Sequence, residues 1–171
     1  MIDQWGRKIN YMRVSVTDRC NLRCVYCMPL TGVQLGPHHE FLTYEELLRI
    51  IRIAVGLGID RIRVTGGEPL VRKDIVKFLA QLKPLGVKDL SLSTNGLLFP
   101  AMARDLKAAG VDRVNISLDT LRPDRFTKIA RLKGSPAEVL AAVDAALELG
   151  MEPVKLNMVV IRGCNDDEIG D

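Results

Sequence analysis

The sequence predicts an α/β fold, a partial (β/α) barrel of about five parallel strands with helices on its convex face. Three observations predict it. Short β-branched segments alternate with amphipathic helical stretches from end to end, the pattern of βα units on a parallel sheet. Glycines close most of the helical stretches and lead directly into the next apolar segment. Within every strand the polar residues share one parity, so the sheet has one apolar and one polar face, whereas a flat parallel sheet covered on both sides reads as near-continuous apolar runs.

The elements follow in order. A first strand is expected at 11–17, ending in a cysteine-bearing loop. The first helix, 43–57, opens on a capping box of Thr43 and Glu46 and has Leu47, Ile50, Ile51, Ala54 and Val55 as its apolar face. The second strand, 60–65, runs into Gly66-Gly67-Glu68-Pro69 and a helix over 72–83; the third, 89–94, runs into Thr94-Asn95-Gly96 and a helix over 100–109. The fourth, 112–118, ends at Asp119 and precedes helices over 122–131 and 136–149, the latter starting at Ser135, Pro136 and Glu138. The fifth strand is expected at 153–161. Gly58, Gly86, Gly110 and Gly150 stand where left-handed helix ends belong.

A chain of 171 residues, 47% hydrophobic and 26% charged, is the size of one domain, here 1–171. Its 24 basic and 21 acidic side chains leave a net charge of +3, spread too evenly for the basic stripe of a nucleic-acid binder. No stretch approaches the ~20 apolar residues that span a bilayer, and no secretory segment opens the chain, so the expected location is cytoplasmic.

Parity gives the sheet's two faces their chemistry. The odd positions are Arg13, Ser15, Thr17, Arg63, Thr65, Ser91, Ser93, Asn115, Ser117, Lys155 and Asn157; the even positions, from Val14 and Ile62 to Leu92, Ile116 and Leu156, are apolar. A curved sheet with a wet concave side fits this pattern. Arg13, Arg63 and Lys155 on that wall are costly to bury unless something anionic meets them, which points to a polar, anionic ligand. Two other arrangements satisfy the same residues: the cations reach solvent, or they pair with Asp119.

Cys20, Cys24 and Cys27 lie within eight residues, directly after the first strand, while Cys164 stands alone in a turn. That is unlike the dispersed framework of a disulfide-stapled domain. A structural zinc ion wants a fourth ligand, and His38, His39 and Cys164 are candidates without the usual paired spacing. A four-iron, four-sulfur cluster on three thiolates leaves one iron open. Ligand count favours the cluster, with zinc still open on spacing alone. Read alone, Gly66-Gly67-Glu68-Pro69 is as readily a tight strand-to-helix turn as a site. His38 and His39 read as solvated loop residues and Cys164 as a free thiol. No general-base pair or Ser-His-Asp arrangement stands out.

The spacing CxxxCxxC with Tyr26 before the last cysteine, and Gly66-Gly67-Glu68-Pro69 after the second strand, resemble the radical S-adenosylmethionine superfamily. Within it, Ser15 to Cys20, Cys24 to Pro29, Thr65 to Leu70, Thr94 to Leu98 and Asn115 to Asp119 resemble the GTP 3′,8-cyclase family of molybdenum cofactor biosynthesis, a likeness running from about Ile9 to Ile169.

The resemblance implies roles by position. Cys20, Cys24 and Cys27 would hold a 4Fe-4S cluster, and Tyr26, Gly67 and Ser117 would bind S-adenosylmethionine. Arg13, Arg63, Ser93 and Lys155 would bind GTP; all four are odd-parity residues. The implied reaction is reductive cleavage of S-adenosylmethionine, removal of the 3′ hydrogen of GTP by the resulting radical, and attack of the ribose carbon on C8 of guanine. The implied partners are GTP, an external electron donor, a second copy in a homodimer and a downstream molybdopterin-precursor enzyme.

The family also has a C-terminal region with a second cluster on three further cysteines, and only Cys164 follows Cys27 here. The expectation is therefore an incomplete barrel, a truncated form of the cyclase whose activity on its own the sequence leaves open, with an open sheet edge at the fifth strand.

Overall fold

The computed structural model describes residues 2–32 and 41–171; His38 and His39 lie outside the described residues. Five strands, β1 (Tyr11–Ser15), β2 (Arg61–Thr65), β3 (Asp89–Thr94), β4 (Arg113–Ser117) and β5 (Lys155–Asn157), form one sheet in sequence order. Every pairing is parallel. The helices are α1 (Tyr44–Gly56), α2 (Ile75–Leu79), α3 (Phe99–Ala108), α4 (Pro123–Ala130) and α5 (Pro136–Glu148). Among the described residues no helix is long and apolar enough to cross a membrane.

The even-parity residues are the core. Ile62, Val64, Leu90, Leu92, Val114 and Ile116 are fully buried, together with helix residues Phe78, Leu79, Phe99, Leu106, Val139, Ala142 and Ala146. Register lines the polar parity up across strands: Arg13 lies opposite Arg63 and Arg63 opposite Ser91, while Ser93 lies opposite Asn115 and Asn115 opposite Lys155. Three further members of this face lie outside the motifs. Arg113 grips the Asp89 carboxylate with both Nε, at 2.9 Å, and Nη2, while Arg61 stands 4.0 Å from it.

Several expected boundaries move, each for a local reason. The apolar face of α1 is rotated, with Leu47, Leu48 and Ile51 buried while Ile50 is exposed. The helix expected over 72–83 is reduced to the short α2 between two 3₁₀ turns, because Asp74 adopts a left-handed φ of 59° and Pro84 supplies no N–H. The fifth strand is three residues long. Beyond it, the Val159 N–H donates to Asp119 Oδ1 (2.9 Å), the Val159 carbonyl accepts from Asn165 Nδ2 (2.9 Å) and the Ile161 N–H donates to Asn165 Oδ1 (2.6 Å). Side chains thus take the backbone groups a sheet would use. Leu156 is even-parity yet 52% exposed, because β5 is an edge strand.

The caps stand where the residue pattern puts them. Thr43 Oγ1 accepts from the Glu46 N–H (3.2 Å) and Glu46 Oε2 accepts from the Thr43 N–H (2.7 Å), fixing the start of α1. Ser135 Oγ accepts from the Glu138 N–H (3.3 Å) at α5. Gly58, Gly86, Gly110 and Gly150 all have positive φ. Thr43→Ala removes one cap acceptor, so urea unfolding should show a loss of about 1 kcal/mol with the site intact.

Candidate functional site

The chain after β1 folds back as a loop carrying the three cysteines, held against the sheet from two sides. On one side, the glycines after β2 let two backbones touch: the Gly67 N–H donates to the Thr17 carbonyl (2.7 Å) and the Glu68 N–H to the Arg19 carbonyl (2.8 Å). A Cβ on Gly66 would sit 2.6 Å from the Thr17 oxygen, and one on Gly67 2.3 Å from the Arg19 oxygen, so only glycine fits. On the other side, the end of α4 receives the loop, the Arg23 N–H donating to the Ala130 carbonyl (3.0 Å) and the Val25 N–H to the Ile129 carbonyl (2.9 Å). Arg23 Nη1 then caps the Cys20 and Leu22 carbonyls, each at 2.9 Å.

Between loop and sheet lies a cavity of about 290 Å³ whose lining includes Cys20, Cys24 and Cys27. Tyr26, Gly67 and Ser117 line it too, as do Arg13 and Ser93. Arg63 and Lys155 lie outside that lining, on the same face of the sheet as the register partners of Arg13 and Asn115. Neither cation pairs with Asp119, whose carboxylate accepts from the Tyr26 hydroxyl (2.6 Å) and the Val159 N–H. Lys155 is exposed. The Arg63 guanidinium lies over the Tyr11 ring, 5.6 Å from its centroid, and its Nε is buried with no hydrogen-bond partner.

The charge states follow from burial. Burial, reinforced by the Asp119 carboxylate, pushes the Cys24 thiol up to about 11; burial likewise raises Cys20. Burial and the hydrogen bond to Asp119 keep the Tyr26 phenol protonated far above its ordinary range. Cys20 and Cys24 therefore need a bound cation to become thiolates at neutral pH.

Among the described residues no three His, Cys, Asp or Glu side chains converge so as to hold a single metal ion. A four-iron cluster needs no such convergence, because each thiolate takes a different iron. Three soft donors lining one cavity, with a backbone cradle that admits no side chain at Gly67, fit the cluster.

Three residues that the motifs contain but spacing could not assign turn out to join the site. Glu68, 1% exposed, accepts from Leu70 N–H (3.1 Å), Thr94 Oγ1 (2.9 Å) and Asn95 N–H (2.7 Å), tying the turn after β2 to the turn after β3. Asn95 reaches on to the cysteine loop through Asn21 Oδ1 (2.7 Å). Asp119 joins Tyr26 to the segment after β5, and Asn165 Nδ2 holds the Asp119 carbonyl at 2.6 Å. The only signal for them was a carboxylate or amide directly after a strand, where loop chemistry collects.

Comparison with known proteins sharpens this geometry. The chain is 58% identical over 172 residues to the GTP 3′,8-cyclase of Heliobacterium modesticaldum and 57% identical to that of Geobacter sulfurreducens, in each case matching 100% of this chain and 52% of the relative. It thus spans about half the length of the curated relatives it matches. Among solved structures, Streptococcus suis SuiB superposes with a TM-score of 0.74 at 20% identity, covering 93% of this chain and 35% of that one. Methylornithine synthase (PylB) gives 0.69 at 17%, covering 86% and 44%. These two likenesses establish the fold, a partial barrel of the same architecture. The family model of the radical SAM superfamily matches residues 14–171, which takes in the cysteine loop, the paired glycines and all five strand ends, and the chain belongs to that superfamily.

Proposed function

We propose that this chain carries the S-adenosylmethionine site and part of the nucleotide site of a GTP 3′,8-cyclase. The observation that carries the reading is the single cavity in which Arg13 and Ser93 stand beside the three cysteines, on a sheet face where Arg61 and Arg113 share Asp89 while Arg63 and Lys155 have no acidic partner among the described residues. Cys20, Cys24 and Cys27 hold the 4Fe-4S cluster. Bound there with S-adenosylmethionine, the cluster supplies one-electron radical chemistry, with the electron drawn from an external donor.

The chain's own residues bind and orient. Gly67 lines the cavity and lets the cysteine loop close against the turn after β2, Ser117 meets the cofactor from the end of β4, and Tyr26, its hydroxyl held by Asp119, presents its ring and backbone. Arg13, Arg63, Ser93 and Lys155 hold GTP. An anionic triphosphate is what offsets a buried, unpartnered Arg63 Nε, and guanidinium–phosphate hydrogen bonds are charge-assisted. The walls keep water and stray hydrogen donors from the reacting carbon, and the polar contacts fix which ribose hydrogen faces the cofactor. We place the protein in the cytoplasm, as a homodimer that passes its product to an enzyme acting on the molybdopterin precursor.

The test uses anaerobically reconstituted protein, S-adenosylmethionine, reductant and GTP deuterated at the ribose 3′ carbon. Deuterium is expected in 5′-deoxyadenosine. Deuterium drawn from a peptide and never from GTP would move the chain to another reaction of the superfamily. Zinc in the purified protein, with no cluster formed on reconstitution, would make it a metal-binding module.

A further inference from the structure

We propose that the Asn95 side-chain amide is a positioning residue of the cysteine loop: it donates to the Cys20 sulfur and thereby raises the reduction potential of the cluster. This rests on the reading of the loop as a cluster site.

The amide's orientation is set by its surroundings. Asn95 Oδ1 accepts from the Leu97 N–H at 3.1 Å, so that end of the amide must be the oxygen. The nitrogen is therefore the end facing the loop, 2.7 Å from Asn21 Oδ1 and 3.9 Å from Cys20 Sγ. Its two N–H groups have these two acceptors. The backbone beneath is fixed as well, because buried Glu68 takes the Asn95 N–H with one carboxylate oxygen and the Thr94 hydroxyl with the other. A side chain on the turn after β3 thus reaches a sulfur that is 75 residues away in sequence. Cys20 Sγ already accepts from the Leu22 N–H at 3.3 Å, within its own loop. Asn95 is the donor that comes from the sheet.

Reduction of a four-iron cluster from its 2+ to its 1+ state takes one electron from the external donor and adds negative charge that spreads onto the thiolates. A hydrogen bond to a thiolate sulfur strengthens with that charge, so it favours the reduced form. Partners of metal ligands act in this way while also fixing ligand orientation. The remaining two cysteines have no comparable side-chain donor from another strand end among the described residues; the Tyr26 hydroxyl beside Cys24 is committed to Asp119.

The test is a redox titration of the reconstituted protein with dithionite, read from the electron paramagnetic resonance signal of the reduced cluster, with iron content measured alongside. Asn95→Ser keeps a hydroxyl able to accept from the Leu97 N–H but is too short to reach Cys20. Its ratio of reduced to oxidised cluster at fixed potential should fall about tenfold, a shift of about 59 mV for one electron. Thr43→Ala acts at the start of α1, outside the cysteine loop, and should titrate with the parent. Full iron in Asn95→Ser with an unshifted potential would overturn the proposal, as would equal shifts or equal iron loss in both variants. Iron loss in Asn95→Ser alone would support the positioning role. Failure of the parent to take up a cluster would instead overturn the reading of the loop itself.

Discussion

Gly67→Ala is expected to abolish cluster uptake and to cost at least about 3 kcal/mol of stability, from hydrogen bonds worth about 1 kcal/mol each and the displacement of buried backbone. The added methyl carbon would lie 2.3 Å from the Arg19 carbonyl oxygen, 2.7 Å from its carbon and 2.8 Å from the Asp18 oxygen. These are backbone atoms, which cannot swing aside as a side chain tip can. Either the turn after β2 or the cysteine loop must move, and the donations from Gly67 and Glu68 to Thr17 and Arg19 go with it. Gly56→Ala is the matched control: it ends α1 with nothing within 4 Å of the new carbon, so helix propensity predicts a gain of about 0.5–1 kcal/mol. Urea unfolding and iron content separate the two; a Gly67→Ala protein that bound iron normally would show that the close approach is dispensable.

The alternation of Val14, Ile62, Leu92 and Ile116 with Arg13, Arg63, Ser93 and Asn115 was legible because a strand's period of two needs no partner to be read. The glycine helix ends and both caps were legible for the same reason, since their hydrogen bonds close within four residues. What spacing could not show was how the strand ends are joined. Glu68 pairs with Asn95, Asn95 with Cys20 and Asn21, and Tyr26 with Asp119, each across tens of residues. The shortened fifth strand belongs to the same class. Residues 159–161 are β-branched and read as strand, yet Asp119 and Asn165 had already claimed their backbone groups. The motifs therefore located the site, while the joints that hold its shape became visible only in three dimensions.

Glu68→Gln should be the most damaging single-atom exchange in the site, costing about 2–4 kcal/mol from one or two buried donors left facing a donor, at about 1–3 kcal/mol each. The carboxylate accepts three hydrogen bonds and donates none. A glutamine must place its NH₂ on one of the two oxygen positions. On one, it faces the Asn95 N–H; on the other, the Leu70 N–H and a Thr94 hydroxyl whose oxygen already accepts from the Gly96 N–H at 3.1 Å. Neither rotamer satisfies every group. The exchange also has a pH signature. Burial raises the Glu68 pKa above its ordinary 4.5, against the pull of its three donors, so the folded protein binds this proton more tightly than the unfolded chain. Its contribution is fully present below 4.5 and is lost as pH rises through the folded value, which makes stability fall with pH over that window. Urea midpoints measured from pH 4 to pH 7 should carry this falling component in the parent and lack it in Glu68→Gln. A variant as stable as the parent at neutral pH, with an unchanged pH profile, would show that the two turns are held together by something other than this carboxylate.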